Sequence, residues 1–270
     1  MSTTLKTVLP CALSLAFVQP IEAQTMKLGE VLVISTPTPG ADTEAFESFV
    51  TGEAAPAWKA AAPGLSLHLL RADRGDRNGE YLTLWIAGTR ANRDATLPDD
   101  DTSPFSKEVL EEVGDTSTYL NAGSHTDYDL IGAGRLGELP SFDILGIHSY
   151  KVKPGRGAAF EQFVRDTLHP ALASSIPGMS LLYFKAVRGE HKGGYVLVFA
   201  IATVADRERY WPTGQPETDA VRAAFKPTAA IARDLRSYLV DGSYLTAEGA
   251  AAPVFESLEW TDFVNVQAAR

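Results

Sequence analysis

Two stretches of this sequence repeat each other, and that restricts its possible folds more than any other feature. Advancing the numbering by 114 lays Phe46-Glu47 on Phe160-Glu161, Phe49-Val50 on Phe163-Val164 and Pro56 on Pro170. The same offset carries Pro63-Gly64 to Pro177-Gly178, Ser66-Leu67 to Ser180-Leu181 and Arg74-Gly75 to Arg188-Gly189. It also carries Gly79 to Gly193, Tyr81 to Tyr195, Thr89 to Thr203 and Arg93 to Arg207. Pro39-Gly40 meets Pro154-Gly155 after one residue of slippage. Tyr119-Leu120 with Gly123-Ser124 meets Tyr238-Leu239 with Gly242-Ser243 at an offset of 119. So many identities at one offset mark a repeated unit. The period is too long for a solenoid, so each copy is expected to be a small domain. The expected division is 28–132 for the first module, 133–141 for a linker and 142–266 for the second.

Local patterns give each copy its element order. Asp143 to Val152 alternates, with Gly146, His148 and Tyr150 on one side and Leu145, Ile147 and Ser149 on the other, which predicts a strand covered on both faces. Pro154-Gly155 makes a turn. Phe160, Phe163, Val164, Leu168 and Leu172 fall on one helical face, which Pro170 is expected to kink or end. After the turn at Pro177-Gly178, Met179–Val187 and Tyr195–Val204 read as strands. The segment from Arg188 to Gly194 joins them as a hairpin. Asp206 to Trp211 opens like a short helix with Asp206 as its cap; a longer helix follows over 219–238, and a last strand over 256–266. The first copy predicts the same β-α-β-β-α-β order: strand 29–36, helix 42–60, strands 65–72 and 80–87, helix 104–120 and a strand near 126–132.

Composition narrows the class. The 270 residues are 45% hydrophobic and 21% charged, the balance of a packed globular chain. Acidic residues outnumber basic ones 34 to 24, a net charge of −10, with no local run of Lys and Arg to offset it. Nucleic acid would be repelled by such a surface. Cys11 is the only cysteine, so no intramolecular disulfide and no cysteine-built zinc or iron–sulfur site can form. Lys6, the apolar stretch Val8–Val18 and the small residue Ala23 follow the order of a secretory signal peptide over 1–23. The apolar run is too short to span a bilayer. The expectation is a periplasmic or secreted protein, not inserted in a membrane after cleavage, working as a monomer or homodimer.

The β-α-β-β-α-β order is that of the ferredoxin-like split βαβ unit. His148-Ser-Tyr-Lys-Val-Lys-Pro-Gly155, the helix Phe160-Glu-Gln-Phe163 and the Pro177-Gly178 exit before a Leu/Tyr-rich strand resemble the dimeric α/β-barrel superfamily of antibiotic-biosynthesis-monooxygenase-like, EthD-like and NIPSNAP-like domains. Nearly the whole chain after the N-terminal segment is covered, twice. The resemblance implies an α+β fold: two tandem ferredoxin-like modules pairing sheet to sheet as an intramolecular α/β barrel. A four-stranded sheet with helices on one face leaves the other face apolar and needing cover. Gly146, His148 and Tyr150, with Val31, Val33 and Ser35, are expected to meet across that interface.

The resemblance also implies a small-molecule binder, and, if it is an enzyme, a cofactor-independent monooxygenase or isomerase. Such an enzyme acts on an apolar or aromatic substrate that itself reduces oxygen. One alternative is a non-catalytic ligand-binding or stress-related barrel; another is a haem protein of the chlorite-dismutase-like type, with His148 or His169 as axial ligand. Of the five histidines, none forms H-x-x-x-H or H-E-x-x-H, so no local metal motif exists. General-base work is assigned to His148, Tyr150 and His169. His148 maps to Val33 and His169 to Ala55 in the first copy, and that asymmetry points to one working pocket. Tyr183, Phe199, Tyr210, Trp211 and Trp260 are expected to line it, and Trp58 and Trp85 are the aromatic candidates of the first copy. Gly132-Ala-Gly134-Arg-Leu-Gly137 matches G-x-G-x-x-G, but Pro140 arrives where a helix would have to start, so it reads as a connector. Asp99-Asp100-Asp101 lacks the alternation of a calcium loop. No P-loop, G-x-S-x-G or S-x-x-K is present.

Overall fold

The computed structural model describes residues 31–37, 39, 42–96, 111, 125–133, 142–172, 179–213, 218–226, 231, 234–240, 244–246, 255–257 and 260–266. The strands are β1 (Val31–Ser35), β2 (Leu65–Gly75), β3 (Tyr81–Ala87), β4 (His125–Ala133), β5 (Ile144–Tyr150), β6 (Met179–Gly189), β7 (Tyr195–Ile201), β8 (Tyr244–Thr246), β9 (Phe255–Ser257) and β10 (Trp260–Asn265). The helices are α1 (Thr43–Phe49), α2 (Ala55–Ala61), α3 (Arg90–Thr96), α4 (Gly157–Phe163), α5 (His169–Leu172), α6 (Val204–Tyr210) and α7 (Asp219–Phe225). Most of the helix expected over 104–120, the N-terminal segment with Cys11, Asp99-Asp100-Asp101 and the connector beyond Ala133 lie outside the described residues. No helix among the described residues is long and apolar enough to cross a membrane.

The long helix of each half is built around a proline. Asp42 caps α1 by accepting the Ala45 amide at 2.9 Å. The helix then widens into a π-turn at Val50–Ala54 before resuming as α2. The second half repeats this with α4, a π-turn at Val164–Leu168 and α5. Pro56 and Pro170 stand just after these turns. A proline lacks the N–H an α-helix needs and its ring strikes the carbonyl four residues back. The wider π-turn relieves that clash, so Pro170 is absorbed instead of ending the helix. The cap of α6 is also not the one expected: Thr203 accepts the Asp206 amide at 3.0 Å, with Asp206 inside the first turn.

Eight strands close a barrel in the order β1-β3-β2-β10-β5-β7-β6-β4, every neighbouring pair antiparallel. Opened at its two seams, the barrel reads β4-β1-β3-β2 and β10-β5-β7-β6. Each is the 4-1-3-2 order of a ferredoxin-like sheet. The seams are β2 against β10 and β4 against β6, so each half lends the other a partner for its edge strands, and no edge is left bare. Both seams carry a β-bulge. At one, Asp262 faces Arg74 while Phe263 faces Ala72; at the other, Asp127 faces Arg188 while Tyr128 faces Ala186. Asp73 and Val187 are the extra residues at these two bulges, and a further bulge on the β4–β6 seam adds Ile131.

Three apolar layers result. The barrel interior holds Leu32, Leu70, Leu84, Phe184, Val198 and Phe263 from both halves. Val33, Phe46, Val50, Trp58 and Trp85 fill the space under the first half's helices, with the two indoles edge to face at 4.5 Å. Ile144, Tyr150, Phe160, Leu168 and Tyr183 do so under the second. This corrects the expected interface. Leu145 and Ile147, not Gly146, His148 and Tyr150, line the barrel interior; likewise Leu32 and Ile34, not Val31, Val33 and Ser35. Both faces of these strands are apolar enough to be buried, so alternation alone does not say which is inward.

Matching positions are occupied by matching contacts. Glu47 accepts the Tyr81 hydroxyl at 2.7 Å and pairs with Arg71 at 3.0 Å. Glu161 accepts the Tyr195 hydroxyl at 2.9 Å and pairs with Lys185 at 2.8 Å. Phe46 meets Tyr81, and Phe160 meets Tyr195, edge to face.

Candidate functional site

The sheet register puts Gly146 of β5 opposite Asp262 of β10 on one side and opposite Phe199 of β7 on the other. A Cβ on Gly146 would stand 3.0 Å from Asp262 Oδ1, 3.5 Å from Phe199 Cβ and 3.8 Å from His148 Nε2. Three side chains therefore converge over one residue that has no side chain to hold them apart. The half-buried His148 ring packs against Phe199 with centroids 4.8 Å apart. Burial pushes the imidazole down to about 4, so it is neutral at pH 7.

Asp262 owes its setting to the seam. Arg207 from α6 lies 3.9 Å from its Oδ2, and so does Arg74 Nε from the other half. Arg74 also donates to the Trp211 carbonyl at 2.7 Å and to Glu208. Arg207 donates to Asp73 at 2.8 Å. Burial raises Asp262 to about 6; Asp73 and Glu208 add to the rise and the two guanidiniums oppose it. The outcome is a carboxylate poised near neutrality beside a neutral imidazole. Two titratable groups whose surroundings drive them in opposite directions are what acid–base chemistry requires.

The same place in the first half is built differently. Val33 lies opposite Asp127 and Trp85, so it takes the position of Gly146, and Ser35 takes that of His148. His148 thus corresponds to Ser35 and not to Val33. Ser35 Oγ is hydrogen-bonded to Thr83 Oγ1 at 2.5 Å, and Asp127 is gripped by Arg93 at 2.7 Å and by Arg188 at 2.9 Å. A valine and a serine fill this spot; at its counterpart Gly146 leaves the place of a Cβ to Asp262 Oδ1 and His148 Nε2.

The remaining candidates divide. Tyr150 and Tyr183 are buried between sheet and helices, and burial raises both hydroxyls, so they stay protonated. Phe199 belongs to the site through its tilted ring contact with His148. Tyr210 is buried and Trp211 half-buried, with ring centroids 5.9 Å apart; both pack on the sheet–helix layer, and Trp211 reaches the site through its carbonyl. The Trp260 backbone lies directly opposite His148 on β10. His169 is elsewhere. It is buried at the start of α5, its Nδ1 3.3 Å from where a Cβ on Gly132 of β4 would be. Three strand spacings, roughly 14 Å, separate β4 from β5, so His169 and His148 do not share a site. Sequence reasoning missed Asp262, Arg74 and Arg207. The identities Arg74/Arg188 and Arg93/Arg207 were a usable signal. Asp262 was hidden because its strand follows the repeat at a different offset from the rest.

No protein-family model and no curated protein matches this chain. Among solved structures it is similar to an anthrone oxidase-like protein, at 12% identity over 87% of this chain and 91% of that one, with a TM-score of 0.45. It is also similar to a chlorite dismutase from Candidatus Nitrospira defluvii in complex with imidazole, at 9% identity over 90% and 94%, TM-score 0.47. A monooxygenase-like protein from Listeria innocua aligns at 14% identity over 88% and 94%, TM-score 0.40. The strand order and the two seams decide the architecture. The chain has the dimeric α/β-barrel fold. In it the α/β barrel is completed within one polypeptide, and its two seams, equivalent in backbone, differ in the side chains that face Asp127 and Asp262.

Proposed function

We propose that this α/β barrel binds a small apolar or aromatic molecule at the β5–β10 edge of its second half and moves a proton on it. The observation that carries the reading is the convergence of His148 Nε2 and Asp262 Oδ1 over Gly146. Asp262, ionised at neutral pH and still basic enough to accept a proton, is the general base. Neutral His148 donates one hydrogen bond to the substrate oxygen that gathers charge. Arg74 and Arg207 position Asp262 and temper its charge. The apolar wall from Phe199 suits an aromatic body.

The substrate class is a ketone or phenol with an acidic C–H or O–H flanked by aromatic surface. Proton transfer to Asp262 leaves an enolate or phenolate. Returning the proton to another carbon is an isomerisation. Adding molecular oxygen at the carbanion gives a hydroperoxide that loses water, so a CH2 becomes C=O while one oxygen atom enters the product and the other leaves as water. In both routes the electrons come from the substrate. The chain's signal-like N-terminus adds export to this proposal.

Anthrone, with its acidic CH2 between two aryl rings, is a suitable probe. Turnover is read by oxygen uptake together with appearance of the quinone. Asp262→Asn is expected to lower kcat by 100-fold or more and His148→Ala by about 10-fold or more, with anthrone affinity little changed. Full turnover by Asp262→Asn would end the proposal. Saturable anthrone binding without turnover in the unaltered protein would leave a carrier in place of an enzyme.

A further inference from the structure

A second ligand site lies apart from this one, at a mouth of the barrel. We infer that the mouth formed by the β2–β3 and β6–β7 hairpins binds a small amphiphile with a carboxylate head, the head between Arg77 and His191 and the tail pointing into the barrel. A cleft opens there. Its floor is Ile34, Ile147, Leu82 and Val196, two pairs at matching positions of the two halves, so the cleft straddles the barrel axis and both halves build it. None of these residues belongs to the Asp262 seam.

The rim is polar and unequal. Arg77 and His191 occupy matching hairpin positions, each two residues before a glycine with φ of +88°. Only glycine takes that backbone without strain, which fixes how both tips fold over the opening. Arg77 donates Nε to Glu80 at 2.8 Å and Nη2 to Thr36 at 3.3 Å, and its guanidinium lies 5.7 Å from the Phe263 ring centroid. Its Nη1 has no protein acceptor among the described residues. Across the opening, Tyr128 stands where the other seam has Phe263. Its hydroxyl is raised to about 12 by burial and so remains a hydrogen-bond donor. Thr126 lines the same side and accepts the His191 amide at 3.2 Å. One half of the mouth is thus covered by Arg77 over Phe263, and the other offers the Tyr128 and Ser149 hydroxyls, the His191 ring and the spare guanidinium N–H above an aliphatic floor. A carboxylate matches those donors, and a short aryl or acyl body matches the floor. A long chain does not fit, because Leu32, Leu84 and Phe184 fill the barrel beneath.

The test uses 4-phenylbutyrate as the probe with the full chain, followed by calorimetry and by amide chemical shifts. Saturable binding is expected, with shifts grouped on the two hairpins. Arg77→Gln, at an exposed tip, is expected to weaken it about 10-fold, and Ser149→Phe, which blocks the rim, to abolish it. His148→Ala is expected to leave it unchanged. The neutral alcohol 4-phenylbutanol should bind more weakly than the acid. The inference is overturned by absence of saturation at millimolar probe, by unchanged affinity in Arg77→Gln, or by loss of binding in His148→Ala. That last result would place the probe at the Asp262 seam. Failure of the acid–base proposal leaves these outcomes unaffected.

Discussion

His148 and Asp262 carry opposite linkage to stability. A carboxyl ordinarily titrates near 4 and Asp262 near 6, so between those values the folded chain holds a proton that the unfolded chain has lost. Its stabilising contribution is full at low pH and falls as pH rises through 6. For His148 the folded value is about 4 against an ordinary 6.5, so between them the unfolded chain holds the extra proton. That contribution grows as pH rises. Each shift spans about two units, or about 3 kcal/mol, and the two nearly cancel in the intact protein. Removing one partner should expose the other. Asp262→Asn is expected to gain stability relative to the unaltered chain from pH 4 to 6, and His148→Ala to lose it from pH 4 to 6.5. Urea denaturation at a series of pH values reads both slopes, and parallel curves for all three proteins would show that the groups titrate ordinarily.

At the scale of elements, the β-bulges beside Asp262 and Asp127 do the work of the seams. Each sets two successive residues opposite one acid: Asp73 and Arg74 opposite Asp262, Val187 and Arg188 opposite Asp127. In the first case Arg207 gains a carboxylate from Asp73. In the second, Val187 supplies none to Arg93, and Arg188, 5% exposed, keeps Nη1 and Nη2 without acceptors among the described residues. A buried guanidinium left so costs more than a paired one. Asp94 stands where Glu208 accepts from Arg74 and is one methylene shorter, so Asp94→Glu is expected to supply Arg188 with an acceptor and stabilise the protein by about 1 kcal/mol, seen as a rise of about 2–4 °C in Tm. A lower Tm would mean that Arg188 is satisfied by other means. Neither bulge is legible in sequence, because the extra residue shows only once the partner strand is known. Element order was legible, since Phe160, Phe163, Val164 and Leu168 keep helical spacing and the strands keep their alternation. The inward face of β5 was not, because Leu145 and Ile144 are equally apolar. His148 stood out as a titratable residue in an apolar strand. Asp262 did not, sitting in a Trp-Thr-Asp-Phe run whose neighbours across the seam come from both ends of the chain.

A barrel assembled from two identical chains must repeat every seam. One polypeptide is free of that constraint, and the two seams here have taken different side chains on the same backbone. The first is closed by Val33 and Ser35 around a tightly paired Asp127. The second gives up Cβ packing at Gly146 and holds a half-buried, neutral histidine. Both choices favour chemistry over stability. The shared interior, with Phe184 and Phe263 fully buried from opposite seams, lets the barrel bear that cost locally. Rebuilding the second seam in the image of the first should reverse the trade. Gly146→Val with His148→Ser is expected to fold, with Asp262 turning toward Arg74 and Arg207 as Asp127 does toward its own pair. It should resist urea at least as well as the unaltered chain and lose anthrone turnover, while 4-phenylbutyrate still binds at the mouth. Turnover that survives this exchange would mean that the asymmetry between the seams has no part in the reaction.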